Sequence, residues 1–381
     1  MELNVSVVPC KEYSLKEALS ALETALAPFG GLSWVKSGMK IVIKANLVMF
    51  KSPSAAATTH PILVEALSKM LTSRGAQVII GDSPGGLFTL PYVSRIYSAT
   101  GMTAIEKAND GVVLNRNFDV GQANYPEAML LKQFQYTKYL DEADAIIDFC
   151  KLKTHGMMAF SGACKNMFGA IPGTRKPEYH YHYPKHSDFA DILVDLAEYF
   201  KPTLCIADAV YGMEGNGPTA GTPRYIGALL ASVNPHALDL AGAHLMGLSA
   251  AEVPTLSAAV KRGLIPSSTQ ELCIYGELEN FVVSDYKTVP ARKVTQIRSH
   301  GKLLNKTIET LLNHRPVLKY PDRCVGCGEC FRTCPAKAIT MVDKKPIINK
   351  ETCIRCFCCQ EFCPVGALAV HRSVIARMLS K

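Results

Sequence analysis

The sequence predicts an α/β fold in two parts, a large layered domain with a mostly parallel sheet and a small α+β domain behind it. Up to residue 314, apolar runs of strand length alternate with amphipathic segments of helix length, which is typical of α/β domains. Several of these runs are continuously apolar, as in strands that are buried on both faces. The remaining residues hold nine of the fourteen cysteines, which predicts a different kind of structure for this part of the chain.

Five segments are predicted to form the strands of the large domain: residues 40–48, 77–82, 145–152, 203–210 and 226–232. Helices are predicted at residues 15–28, 61–74, 188–200 and 236–246, where apolar side chains recur with helical spacing. Ser14 provides an N-cap for the first of these helices, because its hydroxyl can accept a hydrogen bond from the first turn. Pro61 occupies the first turn of the second helix, where proline is tolerated.

The boundary between the domains is predicted at residue 316, which gives domains at residues 1–316 and 317–381. It follows a last predicted helix at residues 302–313. No segment reaches about 18 apolar residues without a charge, so no membrane span is expected, and the N-terminus lacks the pattern of a signal peptide. We therefore expect a cytoplasmic protein, in which paired cysteines are more often metal ligands or catalytic groups than disulfides.

The cysteines of the second domain form two runs with the same spacing. The first run contains Cys324, Cys327, Cys330 and Cys334, and the second contains Cys353, Cys356, Cys359 and Cys363. Two, two and three intervening residues followed by proline are the spacings of two-cluster bacterial ferredoxins, in which the fourth cysteine of each run binds the other cluster. The sequence therefore predicts a two-cluster ferredoxin domain with two [4Fe-4S] clusters. One cluster is predicted to bind Cys324, Cys327, Cys330 and Cys363, and the other Cys353, Cys356, Cys359 and Cys334.

Two alternatives explain the same residues less well. Zinc ribbons use two pairs of ligands, which does not explain a repeated pattern of three cysteines plus one. Residues 317–381 carry 11 Lys and Arg against 5 Asp and Glu, and such an excess can indicate nucleic acid. Two oxidised clusters would bring about four negative charges, so no nucleic-acid partner is expected. Cys358 falls outside the repeat and fits a small apolar residue beside the second cluster.

Polar residues follow the predicted strands of the large domain, where ligands of parallel sheets bind. Lys44 and Asn46 interrupt the first predicted strand, Asp82 ends the second, and Glu214 follows the fourth. The richest stretch is residues 151–180, which contains Lys153, His155, Lys165, Asn166 and Arg175. Cationic and hydrogen-bonding side chains of this kind suit an anionic small molecule that carries a carboxylate or phosphate.

We expect these residues to form one cleft with divided roles. The predicted catalytic residues are Lys153, His155 and Lys165, and the predicted substrate-binding residues are Lys44, Asn46, Asp82, Asn166, Arg175 and Glu214. Taken singly, most of them also fit solvated lysines, strand-end caps or turn residues. His180, His182 and His186 have a spacing that fits a metal site but also fits a polar aromatic loop. Cys150 and Cys164 are expected to be buried apolar residues.

Seven motifs point to a known family. They are KANLV at residues 44–48, TTHP at 58–61, IGDSPGG at 80–86, KLKTH at 151–155, CKNMFGAIPG at 164–173, MEGNGP at 213–218 and ALDLAG at 237–242. Together they resemble the domain-of-unknown-function family 362, which is often found in anaerobes with a C-terminal two-cluster ferredoxin module. The resemblance implies this architecture and iron–sulfur redox chemistry. It implies no substrate, because the family has no general assigned reaction.

Three functions are consistent with the sequence. The first is a ferredoxin-dependent oxidoreductase, with His155 or a lysine of lowered pKa as proton donor and Lys44, Lys165 and Arg175 holding an anionic substrate. The second is an electron carrier or a subunit of a redox complex without its own substrate, and the third is a protein that handles iron–sulfur clusters or metal. The first two imply a redox partner protein. No nicotinamide or flavin motif is recognised, so hydride chemistry is not predicted.

Overall fold

A nine-stranded sheet forms the centre of the large domain in this computed structural model, which describes residues 3–289 and 315–371. The strands of this domain are β1 Asn4–Pro9, β2 Lys40–Ala45, β3 Gln77–Gly81, β4 Val112–Leu114, β5 Val120–Asn124, β6 Gln133–Thr137, β7 Ala145–His155, β8 Ala159–Ser161, β9 Leu204–Glu214, β10 Thr222–Ser232 and β11 Cys273–Tyr275. The order across the sheet is β11-β1-β10-β9-β7-β2-β3-β4, with β8 paired to β7, while β5 and β6 form a separate hairpin. Strand β2 is parallel to both its neighbours, and β7 is parallel to β9. The predicted α/β fold with a mostly parallel sheet is therefore confirmed.

Helices cover both faces of this sheet. They are α1 Leu15–Leu26, α2 Pro61–Thr72, α3 Leu90–Ala99, α4 Met102–Ala108, α5 Ala163–Asn166, α6 Lys176–His182, α7 His186–Phe200, α8 Pro235–Leu245 and α9 Pro254–Lys261. Successive residues of β9 belong to different apolar clusters: Ile206 packs with α1 and α2, whereas Ala207 packs with α8 and α9. This alternation follows from the two-residue period of a strand. Ser14 caps α1 as predicted, because its Oγ accepts a hydrogen bond from the Glu17 backbone N–H at 3.3 Å.

The strands that carry the predicted site differ from the prediction at their ends. Strand β2 stops at Ala45, three residues before the predicted end, so Asn46 lies in the following loop. Strands β7 and β9 continue to His155 and Glu214. Strand β7 is longer than predicted because its last residues pair with the short strand β8, with Lys153 opposite Ser161. Strand β9 is longer because it forms an antiparallel hairpin with β10.

The second domain is small and follows the pattern predicted from its cysteines. Its elements are β12 Arg315–Leu318, α10 Glu329–Arg332, β13 Ile339–Val342, β14 Lys345–Ile348, α11 Cys358–Glu361 and β15 Leu368–His371. Strand β12 pairs antiparallel with β15, and β13 pairs with β14. The predicted boundary at residue 316 therefore falls inside β12. The helix predicted at residues 302–313 lies outside the described residues.

The described helices include none that is both long and apolar enough to cross a membrane. The expected cytoplasmic location stays a prediction.

A buried ion pair links neighbouring strands of the sheet. Lys151 of β7 lies with its Nζ 2.8 Å from Asp208 Oδ2 of β9, and both side chains are almost fully buried. Tyr13 completes the group, since its hydroxyl accepts from Lys151 at 2.9 Å and donates to the other Asp208 oxygen at 2.9 Å. Asp208 also accepts from the backbone N–H of His60 at 3.0 Å. The pair thus fixes the loop that leads into α2.

We predict that Asp208→Ala lowers the free energy of unfolding by about 3–5 kcal/mol, because the Lys151 ammonium is left buried without its counter-charge. Urea unfolding followed by the fluorescence of Trp34, the single tryptophan, reports on the large domain. The double variant Lys151→Met/Asp208→Leu is the control and should recover most of the loss, since it removes both charges. Equal losses in the single and double variants would show that the charge is not the cause.

Candidate functional site

The eight cysteines of the two runs line two separate cavities of the second domain. One cavity is lined by Cys324, Cys327, Cys330 and Cys363, and the other by Cys334, Cys353, Cys356 and Cys359. Each cavity thus combines three cysteines of one run with the fourth cysteine of the other, which is the crossed arrangement of the sequence prediction. Binding of a cluster by each set stays a prediction.

The backbone around the cavities fits an iron–sulfur cluster. Left-handed residues recur 29 positions apart, at Gly326 and Arg355, Gly328 and Phe357, and Lys337 and Gly366. Such turns direct backbone N–H groups into a concave site that favours an anion. The fourth cysteine of each run accepts an equivalent hydrogen bond. The Ala338 N–H donates to Cys334 Sγ and the Ala367 N–H donates to Cys363 Sγ, both at 3.2 Å. Thiolate ligands supported by N–H···S hydrogen bonds are what such clusters require.

Helix α11 attaches the second domain to the large one. Phe357, which precedes this helix, is buried in an apolar cluster with Met157 and Phe168 of the large domain. Gln360 Nε2 donates to the backbone oxygen of Gly217 at 3.1 Å, in the turn between β9 and β10. The backbone of Glu361 is held too, because its carbonyl accepts from Thr219 Oγ1 at 2.9 Å. Cys358 is fully buried and lines neither cavity.

A small cleft lies where the two domains meet. Its polar lining residues are Asn46, Asp82, Lys153, Ser161, Lys165, Asn166, Lys176 and Glu361. All of them belong to the large domain except Glu361, which ends α11. The cleft therefore depends on both domains for its walls, and five of the nine large-domain site residues predicted from the sequence line it directly.

Buried side chains form a hydrogen-bonded network beneath this cleft. Lys44 Nζ lies 2.9 Å from Asp82 Oδ1 and donates to Asn166 Oδ1 at 3.1 Å. Asn46 Nδ2 donates to the same Asn166 oxygen at 2.9 Å, and Lys153 Nζ donates to Asn46 Oδ1 at 2.8 Å. Lys44 itself is fully buried, so it contributes to the cleft by holding Asp82 and Asn166. The network joins residues from β2, β7, α5 and the loop after β3.

Asp148 lies below this network and was not predicted from the sequence. Its Oδ1 accepts from Asn166 Nδ2 at 2.5 Å. Burial raises the pKa of Asp148 to about 7, although the nearby Lys44 ammonium opposes this. An aspartate within an apolar strand carries the same signal as Lys44, because a buried carboxyl group needs a partner, but only the fold shows that this partner is Asn166.

Three lysines present their ammonium groups to the cleft. Burial lowers the pKa of Lys153 to about 7, and the neighbouring Lys165 adds to this shift. Burial also lowers the pKa of Lys176 to about 8, while its Nζ donates to the carbonyl of Ser83. The pKa of Lys165 is lowered mainly by burial. Within residues 3–289 and 315–371, Lys165 has no hydrogen-bond or ion-pair partner, so its Nζ is available to a ligand.

His155 lies behind the carboxylate of Glu361. Its Nδ1 accepts hydrogen bonds from the backbone N–H groups of Met157 and Met158 at 3.1 and 3.2 Å, which places the ring proton on Nε2. That Nε2 is 3.5 Å from Glu361 Oε2. Burial, together with Lys165, lowers the pKa of His155 to about 4, so the ring is neutral near pH 7. Burial would raise the pKa of Glu361, but Lys165 and His155 outweigh it and hold that pKa below its ordinary value.

Two predicted substrate-binding residues lie outside both the cleft lining and the network beneath it. Arg175 is exposed and pairs with Glu178 at 3.1 Å. Glu214 is the last residue of β9 and pairs with Lys287 at 3.3 Å. A role for either residue in binding a ligand stays a prediction.

The remaining candidate residues are placed as follows. His180 is buried and stacks on Phe189 with ring centroids 4.3 Å apart, while His182 is exposed. The described residues contain no group in which these histidines could hold a metal ion together. Cys150 and Cys164 are buried in apolar clusters of the large domain, where burial raises the pKa of both thiols.

Two families match this chain. Residues 41–244 match the family described as Domain of unknown function (DUF362), and residues 316–364 match the 4Fe-4S dicluster domain. The second match shows an iron–sulfur domain of the electron-transfer type.

Individual proteins are similar to the chain over different lengths. A thylakoid-associated protein of Synechocystis sp. is 29% identical over 289 residues, which cover 75% of this chain and 88% of that protein. The pyruvate synthase subunit PorD of Methanothermobacter marburgensis is 37% identical over 51 residues, which cover 13% of this chain and 59% of that protein. Among solved structures, the lactate racemase apoprotein from Thermoanaerobacterium thermosaccharolyticum aligns with a TM-score of 0.40 and 14% identity, covering 64% of this chain and 56% of that one.

We predict that the protein purified without oxygen carries about eight iron and eight sulfide atoms per chain. Cys363→Ala should damage the cluster of the cavity that contains Cys324, although Cys363 belongs to the other run. Cys358→Ala is the matched control and should keep both clusters, since Cys358 lines neither cavity. Iron analysis and electron paramagnetic resonance of the reduced protein measure both effects. Loss of a whole cluster in Cys358→Ala would refute the ligand assignment.

Proposed function

This chain belongs to the family of the domain of unknown function 362, here joined to a 4Fe-4S dicluster domain, and we propose that it is an iron–sulfur oxidoreductase that acts on a small anion. The substrate binds in the cleft between the domains. One observation carries the proposal: Glu361, which lies two residues from both Cys359 and Cys363, also lines the cationic cleft. The redox domain and the cationic site are thus parts of one structure.

Each of the two cysteine-lined cavities is proposed to hold one [4Fe-4S] cluster. The thiolates and the N–H groups of Ala338 and Ala367 fit that cofactor. When bound, such a cluster supplies single electrons at a potential that depends on its hydrogen bonds and solvent exposure. The first cavity is the more accessible of the two, since its ligand Cys327 is exposed and Val325 beside it is 66% exposed. We propose that a redox partner protein docks on the surface beside this cavity, around Cys327 and Val325.

The side chains of the cleft are proposed to attract the anion, to position it and to donate a proton. Lys165 and Lys176 attract the anion, and the unpaired Lys165 ammonium is its first contact. Asn46 is held by Lys153 in a fixed orientation and keeps one Nδ2 hydrogen for a polar ligand, which it can position without reorganising. Asn166 supports Asn46, because both its Nδ2 hydrogens are donated to Lys44 and Asp148. Lys153 is the proposed proton donor, because its pKa of about 7 lets it exchange a proton at neutral pH. His155 supports Glu361 rather than touching the ligand.

An electron carrier without its own substrate is the second candidate function. The exposed surface around Cys327 favours it, because electron exchange between proteins needs a cluster close to the surface. The two functions differ in one property: a pure carrier has no use for a cleft that binds anions. Anion binding is therefore the test that separates them.

We predict that Lys165→Ala weakens anion binding at least tenfold, because it removes the one cleft ammonium that has no partner in the described structure. Isothermal titration of the cluster-loaded protein with inorganic phosphate and with succinate measures the affinity. Lys36→Ala, an exposed lysine of the large domain, is the control. Iron content and spectra should be unchanged in both variants. If wild-type protein binds neither anion, the carrier function is the correct one.

We also predict that anion binding takes up protons above about pH 7. Lys153 has a pKa of about 7 beside Lys165, Lys151, Asp82 and Glu361, and an added negative charge favours the ammonium form and raises that pKa. Affinity should therefore fall as the pH rises from 7 to 9. Titrations at pH 8 in buffers of different ionisation enthalpy measure the uptake, which should shrink in Lys153→Met. Binding enthalpies that do not depend on the buffer would contradict this role of Lys153.

A further inference from the structure

The ferredoxin-like domain contributes a charged side chain to the cleft in addition to its cysteines. Glu361 is held there by three contacts: its carbonyl accepts from Thr219, the preceding Gln360 binds the turn at Gly217, and its carboxylate lies 3.5 Å from His155 Nε2. Only the last contact involves the carboxylate. The backbone is therefore fixed while the carboxylate faces the lysines of the cleft.

The charges of the cleft are not balanced. Lys153, Lys165 and Lys176 line it, and Lys44 lies directly below. Against these four cations stand two carboxylates, Asp82 and Glu361, and Asp82 is already paired with Lys44 at 2.9 Å. A bound anion favours the protonated forms of Lys153 and of Asp148 below the network, both of which have a pKa of about 7. In that state the count leaves two positive charges without a counter-charge, and the His155 and His180 rings add none because both are neutral.

From this count we infer that the cleft selects a small dianion, such as a dicarboxylate or a phosphate or sulfate group, and that Glu361 is the residue that sets this charge. The inference rests on the proposed function, because it specifies the ligand of the same cleft. A monoanion would leave one lysine uncompensated in a partly dry site, whereas a dianion matches both free charges. Glu361 limits the cleft to this charge by compensating the third lysine.

The electrostatic attraction between the Glu361 carboxylate and the lysines of the cleft also predicts competition. A ligand anion and the Glu361 carboxylate share the same ammonium groups, so removing the carboxylate should strengthen binding of every anion. The gain should be larger for a dianion than for a monoanion, since the repulsion from Glu361 scales with the charge of the ligand. A role of Glu361 in organising the lysines for the ligand would have the opposite effect.

The test is titration of the cluster-loaded protein with sulfate, succinate and acetate at pH 7. Wild-type protein should bind the two dianions at least tenfold more tightly than acetate. Glu361→Gln should bind sulfate at least tenfold more tightly than wild type does, with a smaller gain for acetate. Glu361→Asp, which keeps the charge, should resemble wild type, and Glu178→Gln, an exposed carboxylate outside the cleft, should change nothing.

Iron content is measured in each variant, because Glu361 lies close to two cluster ligands. If Glu361→Gln loses iron, the selectivity of the wild-type protein alone still decides the ligand charge. Equal affinities for sulfate and acetate, or weaker sulfate binding by an iron-replete Glu361→Gln, would overturn the inference while leaving the anion cleft in place. Absence of any anion binding in wild type and variant alike would instead overturn the proposed function.

Discussion

The burial of lysine ammonium groups on the central strands is the constraint on which the rest of the site depends. Lys44 on β2 and Lys151 and Lys153 on β7 are all almost fully buried, and an unpaired charge at such depth costs several kcal/mol. Each ammonium therefore requires oxygen partners from a neighbouring segment, and these partners come from strand β9, helix α5 and the loops that follow β2 and β3. The acidic side chain after β3, the loop before α2 and the amides of Asn46 and Asn166 are ordered by this requirement.

Much of the site could be predicted from the sequence because its signals are local. The cysteine spacing predicts the two sets of cysteines that line the two cavities, and a lysine within an apolar strand, as at Lys44, has to find a partner wherever the chain folds. Arg175 and Glu214 lie away from the cleft for a local reason too. Glu214 is the last residue of the longer strand β9, and Arg175 is an exposed residue that directly precedes α6.

The residues that sequence reasoning missed are those placed by contacts between distant segments. Glu361 reaches the cleft only because α11 docks on the turn between β9 and β10, and no pattern within either domain encodes that docking. Lys176 belongs to the cationic stretch at residues 151–180, but only the fold shows that it turns inward to the carbonyl of Ser83. The requirement for glycine at position 169 could not be predicted from the sequence either. A side chain there would collide with the Lys44 and Asp82 side chains, and only the folded structure brings these three segments together.

The position of Glu361 between Cys359 and Cys363 has a consequence for the maturation of the protein. These two cysteines line different cavities, so the short segment that carries the carboxylate lies between the two sites that are proposed to hold clusters. Under the proposed function, insertion of both clusters would restrain this segment from both sides, in addition to its contacts with Thr219 and Gly217. Delivery of iron and sulfur during biogenesis would then also complete the wall of the cleft, and chains without clusters would bind the anion less well.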